Sequence, residues 1–169
     1  MNDFGQRYVI DTNALSQMRR HRRASAFFRE NAVIPSEVLR EAEGFPDIDA
    51  LRKNLYPTTS QVLSWLAKVM ATVPVADTTL VDLYSNLGGA DPLLVACALD
   101  GQAQDSPYLD APEWVVVSGD DAVRDKAEEF GLKVLSNAEF EAIIDTTEGW
   151  QTEEDLFDST AVGLAQDAP

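Results

Sequence analysis

Cysteine is almost absent from this chain. Cys97 is alone among 169 residues, which excludes an intramolecular disulfide and a cysteine-rich zinc site. Its neighbours Val95, Ala96 and Ala98 predict plain core packing. Histidine is equally scarce: His21 has no second histidine with which to form a metal pair, and it is given no catalytic role. No apolar run approaches the ~20 residues that a membrane span needs, and no basic-then-apolar leader opens the chain at Met1-Asn2-Asp3-Phe4-Gly5. The expectation is a cytoplasmic protein that does not engage a membrane.

Basic residues are also in short supply. Lys and Arg number 13 against 29 Asp and Glu, a formal net charge of -16. Phosphate contact is driven largely by Lys and Arg, so this balance weighs against a nucleic-acid partner. The distribution softens it. From Asp145 onward there are seven acidic residues and no basic one, so the first 144 residues carry 13 basic against 22 acidic side chains, a net of -9. Arg19, Arg20, Arg22 and Arg23 stand together near the start. No internal repeat and no low-complexity tract is present.

What is there fits one domain of ordinary size, with 45% apolar residues to build a core. Tyr8-Val9-Ile10 reads as a short strand buried on both faces, as inside a parallel sheet. Asp11 closes it, just before Thr12 or Asn13 can cap a helix that begins near Ala14. The carboxyl end of a strand is where open α/β sheets bind ligands. Alternatively, Asp11 and Asn13 only satisfy helix amides.

Residues 14–30 are predicted as one helix with Arg19-Arg20-His21-Arg22-Arg23 in its middle. That run reads either as a solvated face or as a phosphate-steering patch. Ala32-Val33-Ile34 is a very short second strand, and Pro35-Ser36 opens a helix carrying Glu37, Glu41 and Glu43. A helix over 47–55 follows. After Pro57-Thr58-Thr59-Ser60 comes a longer helix, with Val62, Leu63, Leu66, Val69 and Met70 as its apolar stripe. Residues 72–75 are predicted as an edge strand that tolerates Pro74, and 77–87 as a helix. Asp91, ahead of Pro92, reads as the N-cap of an almost wholly apolar helix over 93–99. Residues 101–113 are predicted as a loop. Trp114-Val115-Val116-Val117 is a second strong strand; Ser118-Gly119-Asp120-Asp121 ends it, and a helix over 122–130 stops at Gly131. Leu132-Lys133-Val134-Leu135 is a further strand, and Asn137 caps a last helix to about residue 145. Strand, helix, strand at this spacing is a βαβ unit, so the sheet is parallel at least in part. From Thr146 the chain is acidic and sparse in apolar residues, and a flexible tail is expected.

Two strong strands thus each end in an acid, Asp11 and Asp120, on one rim. Asp91 and Glu41 stand on helices that can face it. Four carboxylates brought together unpaired are costly, and the usual outcome is a raised pKa or a bound cation. Oxygen-only ligands favour Mg2+ or Mn2+, and such an ion can activate water against a phosphodiester.

The blocks Val9-Ile10-Asp11-Thr12-Asn13-Ala14-Leu15, Ile34-Pro35-Ser36-Glu37-Val38-Leu39-Arg40-Glu41, Ala90-Asp91-Pro92-Leu93-Leu94-Val95-Ala96-Cys97-Ala98-Leu99 and Val116-Val117-Ser118-Gly119-Asp120-Asp121-Ala122-Val123 resemble, in order, the four blocks of a PIN domain. The resemblance spans roughly residues 6–145. It implies a three-layer α/β/α fold with a central, mostly parallel sheet of four or five strands. A nuclease domain would then occupy residues 1–145, followed by an acidic tail over 146–169. It also implies a Mg2+- or Mn2+-dependent ribonuclease, of the kind found as VapC-type toxins, with RNA as substrate, a cognate antitoxin and a homodimer. Carried over by position, the acidic quartet is Asp11, Glu41, Asp91 and Asp120. Asp11, Asp91 and Asp120 would be the metal ligands, Asn13 and Ser118 polar supports. Glu37 competes with Glu41, and Asp121 with Asp120. Two rivals stand beside it. A haloacid dehalogenase-type phosphatase would want a second aspartate where Asn13 stands and a lysine ahead of Gly119. A PIN-like binding module would work through protein contacts at Trp150 and Phe157.

Overall fold

The computed structural model describes residues 5–80 and 91–150. Five strands form one all-parallel sheet in the order β3-β2-β1-β4-β5. They are β1 (Gln6–Ile10), β2 (Ala32–Pro35), β3 (Leu55–Tyr56), β4 (Glu113–Val117) and β5 (Lys133–Leu135). The central pair is β1 and β4, in register from Gln6 opposite Glu113 to Ile10 opposite Val117. Tyr8, Val9 and Ile10, like Val115, Val116 and Val117, are buried. Alternate strand residues point to opposite faces, so both faces must be covered. On one side α7 (Asp91–Asp105) packs on β1, β2 and β4, with α6 (Ser60–Ala71) and α8 (Asp121–Glu129) against it. On the other, α3 (Ala26–Asn31) packs on β1 and β2 beside α9 (Asn137–Glu148). There the Tyr8 ring meets Phe27 at 5.7 Å and Phe140 at 4.9 Å between ring centres. The expected three-layer α/β/α architecture is therefore observed, with the sheet parallel throughout.

Several local expectations are corrected. The single helix over 14–30 is three short ones: α1 (Thr12–Gln17), α2 (Arg20–Arg23) and α3. The chain turns extended at Met18, which buries that side chain, and Ser25 starts α3 by accepting the Phe28 amide at 3.1 Å. Carbonyls left open at the end of α1 are filled by Arg23, whose Nη1 donates to Leu15 O at 3.1 Å and Met18 O at 2.6 Å. The helix over 47–55 is one turn of α5 (Ile48–Leu51) and a 3-10 turn (Arg52–Asn54). Buried Asn54 then donates to the carbonyls of Phe28, Arg29 and Ala32, docking the segment so that Leu55 and Tyr56 become the edge strand. The edge strand expected over 72–75 is instead turn following α6, and residues 77–80 are not helical; 81–87 lie outside the described residues.

The loop expected over 101–113 is also shorter, because α7 continues to Asp105. Gly101 lies inside that helix for room rather than as a breaker: a Cβ there would come within 2.3 Å of the Trp114 ring. Ser136, not Asn137, caps α9 through a capping box with Glu139, and the helix runs past residue 145 to Glu148. Gly149 ends it at φ 73, and Trp150 folds back on His21 with ring centres 5.0 Å apart. Among the described residues no helix is long and apolar enough to cross a membrane. Gly101→Ala should destabilise the fold by about 1–3 kcal/mol, the usual range for overpacking a core; urea unfolding measures it, and an unchanged midpoint refutes the close packing of α7 on β4.

Candidate active site

The strand order reverses its direction of growth between β1 and β4: β2 and β3 are added on one side of β1, β4 and β5 on the other. Chains leaving two neighbouring strands in opposite directions open a crevice at their carboxyl ends. Asp11 leaves β1 at that point. It is the N-cap of α1, its Oδ1 accepting the Asn13 amide at 3.3 Å, so neither Thr12 nor Asn13 is the cap. Its Oδ2 accepts the Ser118 hydroxyl at 2.6 Å, and the Ser118 Oγ in turn accepts the Asp120 amide at 3.0 Å. A chain of two hydrogen bonds thus joins the two strand ends. Asp120 caps α8 by accepting the Ala122 amide at 2.8 Å. Both acids therefore cap a helix and also face the crevice, so the two readings of Asp11 are compatible.

The third and fourth acids come from helices. Asp91 is the first residue of α7, and Glu41 the last of α4 (Ser36–Glu41). Thr12 donates its hydroxyl to Glu41 Oε2 at 2.5 Å, tying α4 to the first turn of α1. Burial pushes the Asp91 carboxyl up to about 6, and the negative charges of Asp11, Asp120 and Glu41 add to the effect. The other three sequence-predicted acids are thus each close enough to act on Asp91. The competing acids are elsewhere engaged: Glu37 pairs with Arg40 at 2.9 Å, and Asp121 pairs with Arg124 on the exposed side of α8. Asn13 is exposed in the first turn of α1, while Ser118 is fully buried.

Among the described residues no three acidic, histidine or cysteine side chains are drawn into a ready-made metal cage. The donor set still suits a hard dication. Mg2+ takes one or two carboxylates and keeps several waters, and concentrated negative charge that already disfavours ionisation of Asp91 is what such an ion would relieve.

Sequence reading missed the wall on the β5 side. Asn137 Nδ2 donates to Gln17 Oε1 at 2.9 Å, joining the start of α9 to the end of α1. The tie passes over Gly119, where a Cβ would come within 3.1 Å of that nitrogen. Asn137 Oδ1 is buried with no hydrogen-bond partner among the described residues. Only the lack of a side chain at Gly119 signals this in the sequence.

The arginine run is not one solvated helix face. Arg22 Nε and Nη2 grip Asp145 at 2.8 and 2.7 Å, while its Nη1 reaches Glu141 at 2.8 Å. Arg23 grips Asp47 at 2.9 and 2.8 Å, both side chains only 9% exposed. These guanidinium groups lower the pKa of Asp145 and of Asp47. Arg19 and Arg20 are exposed. Trp150, one anchor of the binding-module reading, covers His21 of its own chain; Phe157 lies outside the described residues.

Fold and crevice together define an α/β/α protein with an acidic site at the switch point of a parallel sheet. No protein-family model and no curated protein matches the chain.

Two outcomes follow from these contacts. Arg23→Gln should lower stability by about 3 kcal/mol, because it strands the Asp47 carboxylate in a desolvated place, whereas Arg20→Gln should change it by less than about 0.5 kcal/mol; equal effects in urea unfolding contradict the pairing. For Asp91, the folded pKa lies above the ordinary value near 3.9. The stability it contributes is present below that value and is lost as pH rises through about 6. In chelator, the melting temperature of Asp91→Asn should therefore gain on the wild type between pH ~4 and ~7; a constant difference across that range refutes the raised pKa.

Proposed function

We propose that this chain is a Mg2+- or Mn2+-dependent ribonuclease of the PIN-domain kind that hydrolyses RNA phosphodiesters. The observation that carries the reading is the convergence of Asp11, Glu41, Asp91 and Asp120, from four separate segments, on the crevice between β1 and β4. Asp11, Asp91 and Asp120 would hold the ion, and Glu41 would hold a water or a second ion. When bound, the dication supplies Lewis-acid polarisation of the phosphoryl oxygen and lowers the pKa of water.

The chain's own residues do the rest. Ser118 keeps one Asp11 oxygen in place and, through the Asp120 amide, sets the spacing of two ligands. Thr12 aims Glu41. Burial of Asp11 and Ser118 makes the site stiff, and stiffness is what positions a nucleophile in line with a leaving oxygen. The resemblance of the four blocks to PIN domains adds a toxin role with a cognate antitoxin, a homodimer and a cytoplasmic location to the proposal.

Asp11→Asn tests the reading. Its one amide oxygen keeps the cap on the Asn13 amide, while its Nδ2 faces Ser118 and donates to the hydroxyl oxygen instead of accepting from it, so the fold should survive in thermal melts. RNA cleavage should fall by at least about 100-fold, the scale of losing one preorganised charge-stabilising group, and the heat of Mn2+ binding should vanish from calorimetry. Wild-type rates in that variant, or no Mn2+ heat in the wild type, reject it.

A further inference from the structure

An acidic crevice on a chain of net charge -16 repels the polyanion it is proposed to cut. Arg22 and Arg23, two of the four clustered arginines, are bound to carboxylates of their own chain. One cation, Arg40 of α4, is instead the direct neighbour of Glu41. Helix geometry places Glu41 on the face toward α1, and places Ser36, Leu39 and Arg40, continued by Glu43 in the turn after the helix, on another. This second face forms one wall of a groove of about 300 Å3, and Arg52 and Leu55 form the other.

The groove has the parts that a single nucleotide unit needs. Its volume is at the lower end for small-ligand sites, which suits one nucleotide rather than a folded partner. Leu39 on one wall and Leu55 on the other, the latter 46% exposed, add apolar surface. Two guanidinium groups stand at its walls, with Arg40 72% and Arg52 52% exposed. Each is paired only one turn away along the chain, Arg40 with Glu37 and Arg52 with Asp49. Such exposed pairs contribute a few tenths of a kcal/mol and exchange readily, whereas a guanidinium meets a phosphate with two parallel charge-assisted hydrogen bonds. Ser36, hydrogen-bonded to Thr58 at 2.5 Å, adds a hydroxyl where the groove meets the carboxyl end of β2.

We propose that the groove between α4 and β3 binds the RNA nucleotide flanking the scissile bond, with Arg40 and Arg52 contacting its backbone phosphates. The inference rests on the ribonuclease reading and deepens it. Glu41 and Arg40 are consecutive on one short helix, so the acid and the groove wall share α4 as a common support. The arginines hold the flank and take no part in the chemistry.

The test uses the full chain carrying Asp11→Asn, so that RNA is bound without being cut. Its affinity for a short unstructured oligoribonucleotide is measured by fluorescence anisotropy across a potassium chloride series, with and without R40Q/R52Q and with K133Q at the far edge of the sheet as control. Each single-strand phosphate contact contributes about 0.7 to the slope of log affinity against log salt, so R40Q/R52Q should lower the slope by about 1.4, and K133Q should leave it unchanged. On the otherwise wild-type chain, R40Q/R52Q should bind Mn2+ as the wild type does. An unchanged slope on a chain that binds RNA overturns the groove and leaves the ribonuclease reading standing. An equal fall in R40Q/R52Q and K133Q also overturns it, since it shows diffuse attraction. No RNA binding in the Asp11→Asn chain together with no Mn2+ heat in the wild type overturns both.

Discussion

The hydroxyl of Ser118 is the joint on which the candidate site depends. It donates to Asp11 at the end of β1 and accepts from the Asp120 amide beyond β4, across the one place where the sheet changes its direction of growth. Parallel pairing of β1 with β4 over five residues brings the two strand ends level. The hydroxyl then ties the Asp11 carboxylate to the backbone at Asp120. A buried hydroxyl in this position must find both a donor and an acceptor partner, and the strand ends supply one of each. The geometry of the site is thus a consequence of sheet register rather than of any loop.

Packing and charge pull against each other at this rim. The strand ends and the start of α7 are among the best-packed parts of the molecule, with Ile10, Val117, Leu94 and Val95 all nearly inaccessible. Four acids are held over that core, and the pKa of the Asp91 carboxyl is raised first by burial and then by repulsion from the charges of the other three. Helix caps offset some of it, since Asp11 and Asp120 each accept an amide at a helix start. Elsewhere acids are neutralised where they lie: Asp47 and Asp145 each take a guanidinium fork. The contrast with the four acids at the rim is one of partners, since Asp11, Asp120 and Glu41 are met by amides or hydroxyls and, among the described residues, not by a guanidinium.

How much of this was legible in the sequence follows from the range of the forces involved. Tyr8-Val9-Ile10 and Trp114-Val115-Val116-Val117 announce buried parallel strands, and an acid after each announces the rim, because the signal is local. Asp91 and Glu41 followed from the helices they stand on, one at the start of an apolar helix and one after the short second strand, and the resemblance then joined them to the other two acids. What stayed hidden was set at long range. The edge strand Leu55–Tyr56 has only two residues and exists because the Asn54 amide finds three carbonyls from a distant turn. The helix expected over 14–30 breaks because Met18 leaves the helical path to enter the core and Arg23 caps the carbonyls left behind. Gly101 read as a loop residue, since nothing nearby in sequence shows that Trp114 lies over it.

The arginine run carries the broadest lesson about charge. Five consecutive basic or imidazole residues look like a polyanion site when only composition is counted, yet charge in sequence is not charge on a surface. Arg22 and Arg23 hold α2 to α9 and to α5, and each brings its own counter-ions. What remains for a ligand is the field after such pairing. On that measure the arginines that matter are the weakly held ones, since a cation bound by a neighbour one turn away on an exposed helix loses little by changing partner. Net charge therefore bears on how fast a polyanion approaches, and the strength of local pairing on where it comes to rest.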